Sequence, residues 1–320
     1  MPLKHLLTVS PDTSRRGLLL AEWVVVAYAL FTLAVMALHG FDYPALGTML
    51  TLRGGAVASI ALLWACHRWH PCRLTVLLRA VWLVVMLSWW YPDTYSLNCT
   101  QPNLDHLFAR AEQWCFGCQP ALLFGAQWSQ PVVSELLCLG YVSYYPLIAL
   151  TMFYGFLCRY SHFERTVFVI VGSFFLFYLV FIFLPVAGPQ FYYYAVGVDQ
   201  IARGHFPDVG HFFLTHTEAL PTPGWHPGWA HWLVEVAHDA GERPTAAFPS
   251  SHVGITVELL WLAVETRRRW LISVVGVFLV LMFFGTFYIM AHYAIDAIAG
   301  LLVGTLFYWL CLRIYVVAGK

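Results

Sequence analysis

The sequence predicts an all-α, polytopic membrane protein with about eight transmembrane helices. Three observations predict it. Of 320 residues, 60% are hydrophobic and 11% charged, less than half the roughly 25% charge of soluble domains. Long uncharged runs recur along the chain, each close to the roughly 20 residues that cross a bilayer as a helix. Lys and Arg gather at alternate ends of those runs, as orientation in a membrane requires. The net charge is zero, so there is no global basic surface and nucleic acid is not expected as a partner.

In chain order the runs lie at approximately 17–38, 47–66, 74–91, 134–157, 166–187, 250–265, 270–290 and 292–314. The first is too long for a signal-peptide core and has no clear small-residue cleavage site, so it is expected to be retained. The second is the weakest, because Arg53, Gly54 and Gly55 interrupt it. With the N-terminus inside, the inner side holds Lys4, Arg15, Arg16, Arg68, Arg73, Arg159, Arg165, Arg267, Arg268, Arg269, Arg313 and Lys320, with Arg79 in the inner half of the third run. The outer side holds only Arg53, Arg110, Arg203 and Arg243. This bias places both termini in the cytoplasm.

Two segments, 92–133 and 188–249, then lie outside, on the periplasmic or luminal side. The first carries turn signals at Tyr91-Pro92, Gln101-Pro102 and Gln130-Pro131 and an amphipathic stretch over Leu104–Trp114; the second is rich in Pro and His. Short interfacial helices are expected in both. Cys99, Cys115 and Cys118 share the first segment, where a disulfide is chemically permitted but its pairing is open.

The residues with chemical potential sit where two runs begin. Pro249-Ser250-Ser251-His252 opens the sixth, and a helix N-terminus with capping serines presents free amides and partial positive charge to a phosphate. His292 opens the eighth, with Asp296 one turn on, so the carboxylate can reach the imidazole, fix its tautomer and raise its basicity. The sixth run travels inward, the seventh returns and the eighth starts outside again, so His252 and His292 share one face of the membrane. A lone histidine at a span end is more often an interfacial hydrogen-bonding group than a catalyst. Joint placement of two histidines, a carboxylate and a helix start favours nucleophilic attack on phosphorus with acid assistance to the leaving group. His205, His211, His216, His226, His231 and His238 match no metal-ligand spacing, so they are expected to be interfacial or head-group contacts. No metal and no cofactor are expected.

Pro249-Ser250-Ser251-His252 followed by His292-Tyr293-x-x-Asp296 resembles the type-2 phosphatidic acid phosphatase superfamily. The His-Tyr-x-x-Asp motif with Ala299-Gly300 after it resembles the inositol phosphorylceramide synthase branch. So do Asp105, Phe124-Gly125, Ser134-Glu135, Tyr141-x-x-Tyr144-Tyr145 and Pro185-x-Ala187-x-Pro189 upstream. The likeness covers about residues 100–305. It implies a six-helix phosphatase/phosphotransferase-like core over 74–320, with residues 1–73 supplying a tail and two accessory helices. It also implies a phosphohistidine on His292 oriented by Asp296, and His252 as acid and then base. Ser250, Ser251, Arg243 and Tyr293 are the candidate phosphate and substrate contacts, and Glu135 and Tyr144 are candidates to line the cleft.

The superfamily's clamp residues are missing: Thr286 stands where an arginine is usual, and the outer segments contain no Lys. Arg243, with Arg203 in reserve, is the best available cation. So few cations suit a phosphodiester better than a phosphomonoester, which carries about two negative charges at pH 7. The expectation is therefore a lipid phosphotransferase that moves a head group such as inositol phosphate from a phospholipid donor to a lipid acceptor such as ceramide. The alternative is a lipid phosphate phosphatase with water as acceptor. A proton-coupled transporter and a structural subunit with degenerate motifs rank lower.

Overall fold

The computed structural model describes residues 17–239 and 241–318, together with Leu6, Thr8 and Val9. Lys4, Arg15, Arg16 and Lys320, counted above for orientation, lie outside them. Apart from one isolated bridge between Val9 and Cys72, the regular structure among the described residues is helical.

The helices are α1 (Leu20–Leu38), α2 (Leu46–Trp69), α3 (Arg73–Asn98), α4 (Asp105–Phe116), α5 (Pro120–Gln127), α6 (Pro131–Val142), α7 (Tyr144–Cys158), α8 (Phe163–Phe183), α9 (Pro189–Val196), α10 (Val198–Ala202), α11 (Trp229–Asp239), α12 (Ser251–Thr266), α13 (Arg269–Tyr288) and α14 (Ala294–Ala318). Six of them, α1, α2, α3, α8, α13 and α14, are long and apolar enough to cross a membrane, and the protein is an integral, multi-pass membrane protein. The expected fourth span is a pair: α6 and α7 pass the same test together but bend by 50° at Ser143, which makes a seventh span if the pair is one. The expected sixth span, α12, has 16 residues. At 1.5 Å per residue that is about 24 Å, short of the roughly 30 Å hydrocarbon core.

The second run, weakest in the sequence, is one continuous helix because Arg53 is buried and paired. Its guanidinium meets Asp93 of α3 in two bonds of 2.8 and 3.0 Å and Thr32 of α1 at 3.0 Å. Arg53 is therefore a lock between helices. Arg79 and Glu22 form a second buried pair, between α3 and α1. The turn expected at Tyr91-Pro92 is absent: α3 runs through Pro92 to Asn98, anchored by Asp93 and by Asn98, whose amide donates to Phe181 and Thr245.

Helix α8 is the axis of the bundle. Its sequence is apolar all round, and Val167 through Phe175 are buried without a break, as a helix covered on every side must be. It packs against α1, α3, α7, α12 and α14. Segments 92–133 and 188–249 form the expected short helices, with Pro at the start of α5, α6 and α9, where its missing amide proton costs nothing. Cys99, Cys115 and Cys118 are free thiols.

Candidate active site

The starts of α12 and α14 converge because α14 is cut away on the facing side. A Cβ on Gly300 would lie 2.5 Å from the Ser250 carbonyl, and one on Gly304 would overlap the Gly254 backbone. With hydrogen at both positions the helices touch backbone to backbone, and the Ser250 amide donates to the Asp296 carbonyl at 3.0 Å. Ser250 is the N-cap of α12, its hydroxyl accepting from the Val253 amide at 3.4 Å. That leaves the amides of Ser251 and His252 at a helix start, where no intrahelical partner exists.

His292 lies in the turn between α13 and α14, ahead of the span. Its Nδ1 is 2.7 Å from the Ala247 carbonyl, and its Nε2 is 3.4 Å from Nδ1 of His252. A carbonyl only accepts, so the proton belongs on Nδ1 and the lone pair on Nε2. Burial pushes the imidazole down to about 4, against the opposing pull of the Ala247 carbonyl and Glu242. Ala246 and Met290, beside these two groups, take left-handed backbone at φ 66° and 62°, a conformation that costs energy for residues with a Cβ. His252 sits against two aromatic rings, Tyr141 stacked at 4.5 Å and Tyr144 at 4.4 Å. The two tyrosines flank the bend at Ser143.

Asp296 does not bond to His292 as its spacing suggests. Its Oδ2 is 3.8 Å from the His292 Nδ1, beyond hydrogen-bonding distance, and accepts the Tyr293 amide at 2.8 Å. Its Oδ1 has no hydrogen-bond partner among the described residues. Tyr293, expected at the phosphate, is fully buried and donates its hydroxyl to Asp105 at 3.0 Å. Asp105 also accepts the amides of Ala187 and Gly188 and the side chain of Asn103. Gly188 is required there: its φ is 96°, and a Cβ would stand 2.6 Å from the Ala291 carbonyl. Glu112 caps α14 by accepting the Ile295 amide at 3.1 Å. Thr286, in the place of the usual arginine, accepts the His292 amide on its carbonyl at 3.2 Å.

Arg243 is exposed and donates to the carbonyl of its neighbour Glu242 at 3.2 Å. It lies on the rim of a cavity of about 500 Å³ lined by Gln190, Thr222, His238 and Glu242 among others. Glu242 lies 2.9 Å from Nε2 of His238. Burial works to raise its pKa, but His238, Gln190 and His292 outweigh it and hold the carboxyl below its usual range. Burial works against the charge on His238 too, and Glu242 overcomes it, so this imidazole is raised. Neither residue was singled out as a site group from the sequence. The signal was present, since His238 and Glu242 have the same four-residue spacing as His292 and Asp296.

The motif-bearing helices and segments 92–133 and 188–249 thus meet at one end of the bundle. A family model described as the PAP2 superfamily matches residues 106–310, well over half of the chain. The chain belongs to the PAP2 superfamily. This makes it an enzyme of the type-2 phosphatidic acid phosphatase/phosphotransferase class. No curated protein and no solved structure matches it. The PAP2 match begins inside α4 and ends within α14, so it contains His252, His292 and Asp296 and leaves α1–α3 outside.

Proposed function

We propose that this PAP2-superfamily protein cleaves a lipid phosphoester in two steps, with water as the final acceptor. The observation that carries the reading is the His292 imidazole, its Nδ1 held by the Ala247 carbonyl and its Nε2 facing His252. In the first step the Nε2 lone pair attacks phosphorus, the phosphorus–oxygen bond to the lipid alcohol breaks, and His252 gives that oxygen a proton. In the second, His252 takes a proton from water, whose oxygen attacks the phosphohistidine and returns Nε2 to its starting state. The two rings part to admit the phosphorus, and the amides at the start of α12 supply positive potential. Asp296 and Tyr293 act as positioning residues, through the α14 start and Asp105. The polar cavity beside His238 and Glu242 supports a water acceptor, because its lining includes the Glu242 carboxylate that acts on His292.

Head-group transfer to a lipid alcohol is the second reading, along the inositol phosphorylceramide synthase-like line. It is favoured by the scarcity of cations, since Glu242 places a carboxylate at the site and Arg243 is turned to a backbone carbonyl. A singly charged phosphodiester tolerates that environment better than a dianion. Under either reading the arginine-rich ends of the spans face the cytoplasm, and α3–α14 form the catalytic unit with α1 and α2 as accessory helices.

Purified protein incubated with phosphatidic acid, and separately with head-group-labelled phosphatidylinositol with and without ceramide, separates the two. Inorganic phosphate released from phosphatidic acid supports hydrolysis. Label that moves to ceramide without free phosphate overturns it in favour of transfer.

A further inference from the structure

Two of the histidines expected to be interfacial or head-group contacts come together with a carboxylate outside the His252–His292 pair. The donor atoms of His226, His231 and Glu235 all lie within 4.8 Å of one another. His231 and Glu235 stand one turn apart on α11, with Nδ1 and Oε1 3.7 Å apart. The His226 ring meets the His231 ring edge-on at 4.8 Å between centres.

His231 is the decisive member. Its side chain is completely buried. Its Nε2 lies 3.2 Å from the Thr222 carbonyl, so that nitrogen carries the proton and the lone pair is on Nδ1. Nδ1 is buried, faces Glu235 at 3.7 Å and has no hydrogen-bond partner among the described residues. A buried lone pair without a donor is costly. A histidine whose other nitrogen is held by a carbonyl is the arrangement that orients metal ligands.

We propose that His226, His231 and Glu235 bind one divalent transition-metal ion of the Zn²⁺ type, with a water in the fourth position. Two imidazoles and a carboxylate suit Zn²⁺. At bond lengths of about 2.0–2.1 Å, tetrahedral ligand atoms stand about 3.3 Å apart, close to the spacing that His231 and Glu235 already have. His226 and Glu235 are exposed at their ends and free to close the rest. The support is firm: Glu135 of α6 accepts the amides of Ala230 and His231 at 2.9 and 3.2 Å, which fixes the start of α11. The ion clasps His226, in the segment that follows Thr222, to α11. Glu235 and Thr222 also line the cavity beside His238 and Glu242, so the clasp sets the shape of that opening.

The test uses the untagged full-length protein in detergent, stripped with a chelator and titrated with ZnCl₂, with bound metal measured after equilibrium dialysis. The expected result is about one Zn²⁺ per chain and a rise in unfolding temperature with added metal. The exposed-residue double variant His226→Ala/Glu235→Gln loses the temperature shift and binds at least about tenfold more weakly. Co²⁺ gives the strong visible absorption of a four-coordinate site in the wild type and not in the variant. Zn²⁺ stoichiometry and affinity equal in the two proteins overturn the proposal, as does a wild type with no saturable site.

Discussion

At His292 two demands are met by one backbone carbonyl. Attack on phosphorus needs a neutral imidazole with a defined tautomer. Burial supplies the neutrality, and the Ala247 carbonyl supplies the tautomer by accepting a hydrogen bond from Nδ1–H, which keeps the proton on that nitrogen. This has a pH signature, because the active form of Nε2 is the unprotonated one and persists until pH falls to the group's own pKa. The acid limb of kcat/KM should therefore lie near 4 rather than near the roughly 6.5 of an unperturbed imidazole. Glu242 raises the His292 pKa, so Glu242→Gln should move the limb to still lower pH. A limb near 6.5 that Glu242→Gln leaves in place would contradict this reading of His292.

Between elements, the α12–α14 contact decides whether the two histidines meet. Gly304→Val puts a branched side chain into the Gly254 backbone and should destabilise the fold by about 2–3 kcal/mol, read as a lower unfolding temperature in detergent. Leu302→Ala, on the exposed side of α14, should leave it nearly unchanged. Much at this scale was legible in the sequence. The hydrophobic runs placed most helices, and the alternation of spans brought His252 and His292 to one end. The bend at Ser143 was not legible; nor was the passage of α3 through Pro92, because partners far along the chain anchor it. The same is true within the site. Asp296 has the spacing to orient His292, yet the carbonyl of Ala247, from a non-periodic segment, comes closer. Asp105, Glu112 and Glu242 become site groups only when segments 92–133 and 188–249 fold over the helix starts.

Among the described residues, most of the buried charges hold helices together or surround the site. Glu22–Arg79 and Arg53–Asp93 bind α1, α2 and α3 into one unit, which α8 joins to the rest. At the end opposite His252, Arg165 pairs with Glu265, and Arg159 donates to the Glu265 carbonyl. At the histidine end, Arg243 is exposed on the cavity rim and the Glu242 carboxylate lies within it. That asymmetry is why the proposed chemistry rests on imidazoles and a helix start rather than on a cationic clamp. The most direct test of it is covalent trapping: purified protein is mixed with ³²P-labelled phosphatidic acid, quenched in alkali within a single turnover, and digested for peptide mapping. The account predicts acid-labile, alkali-stable label on the peptide containing His292, absent from His292→Ala. Turnover that persists in His292→Ala, or label on another residue, would contradict it.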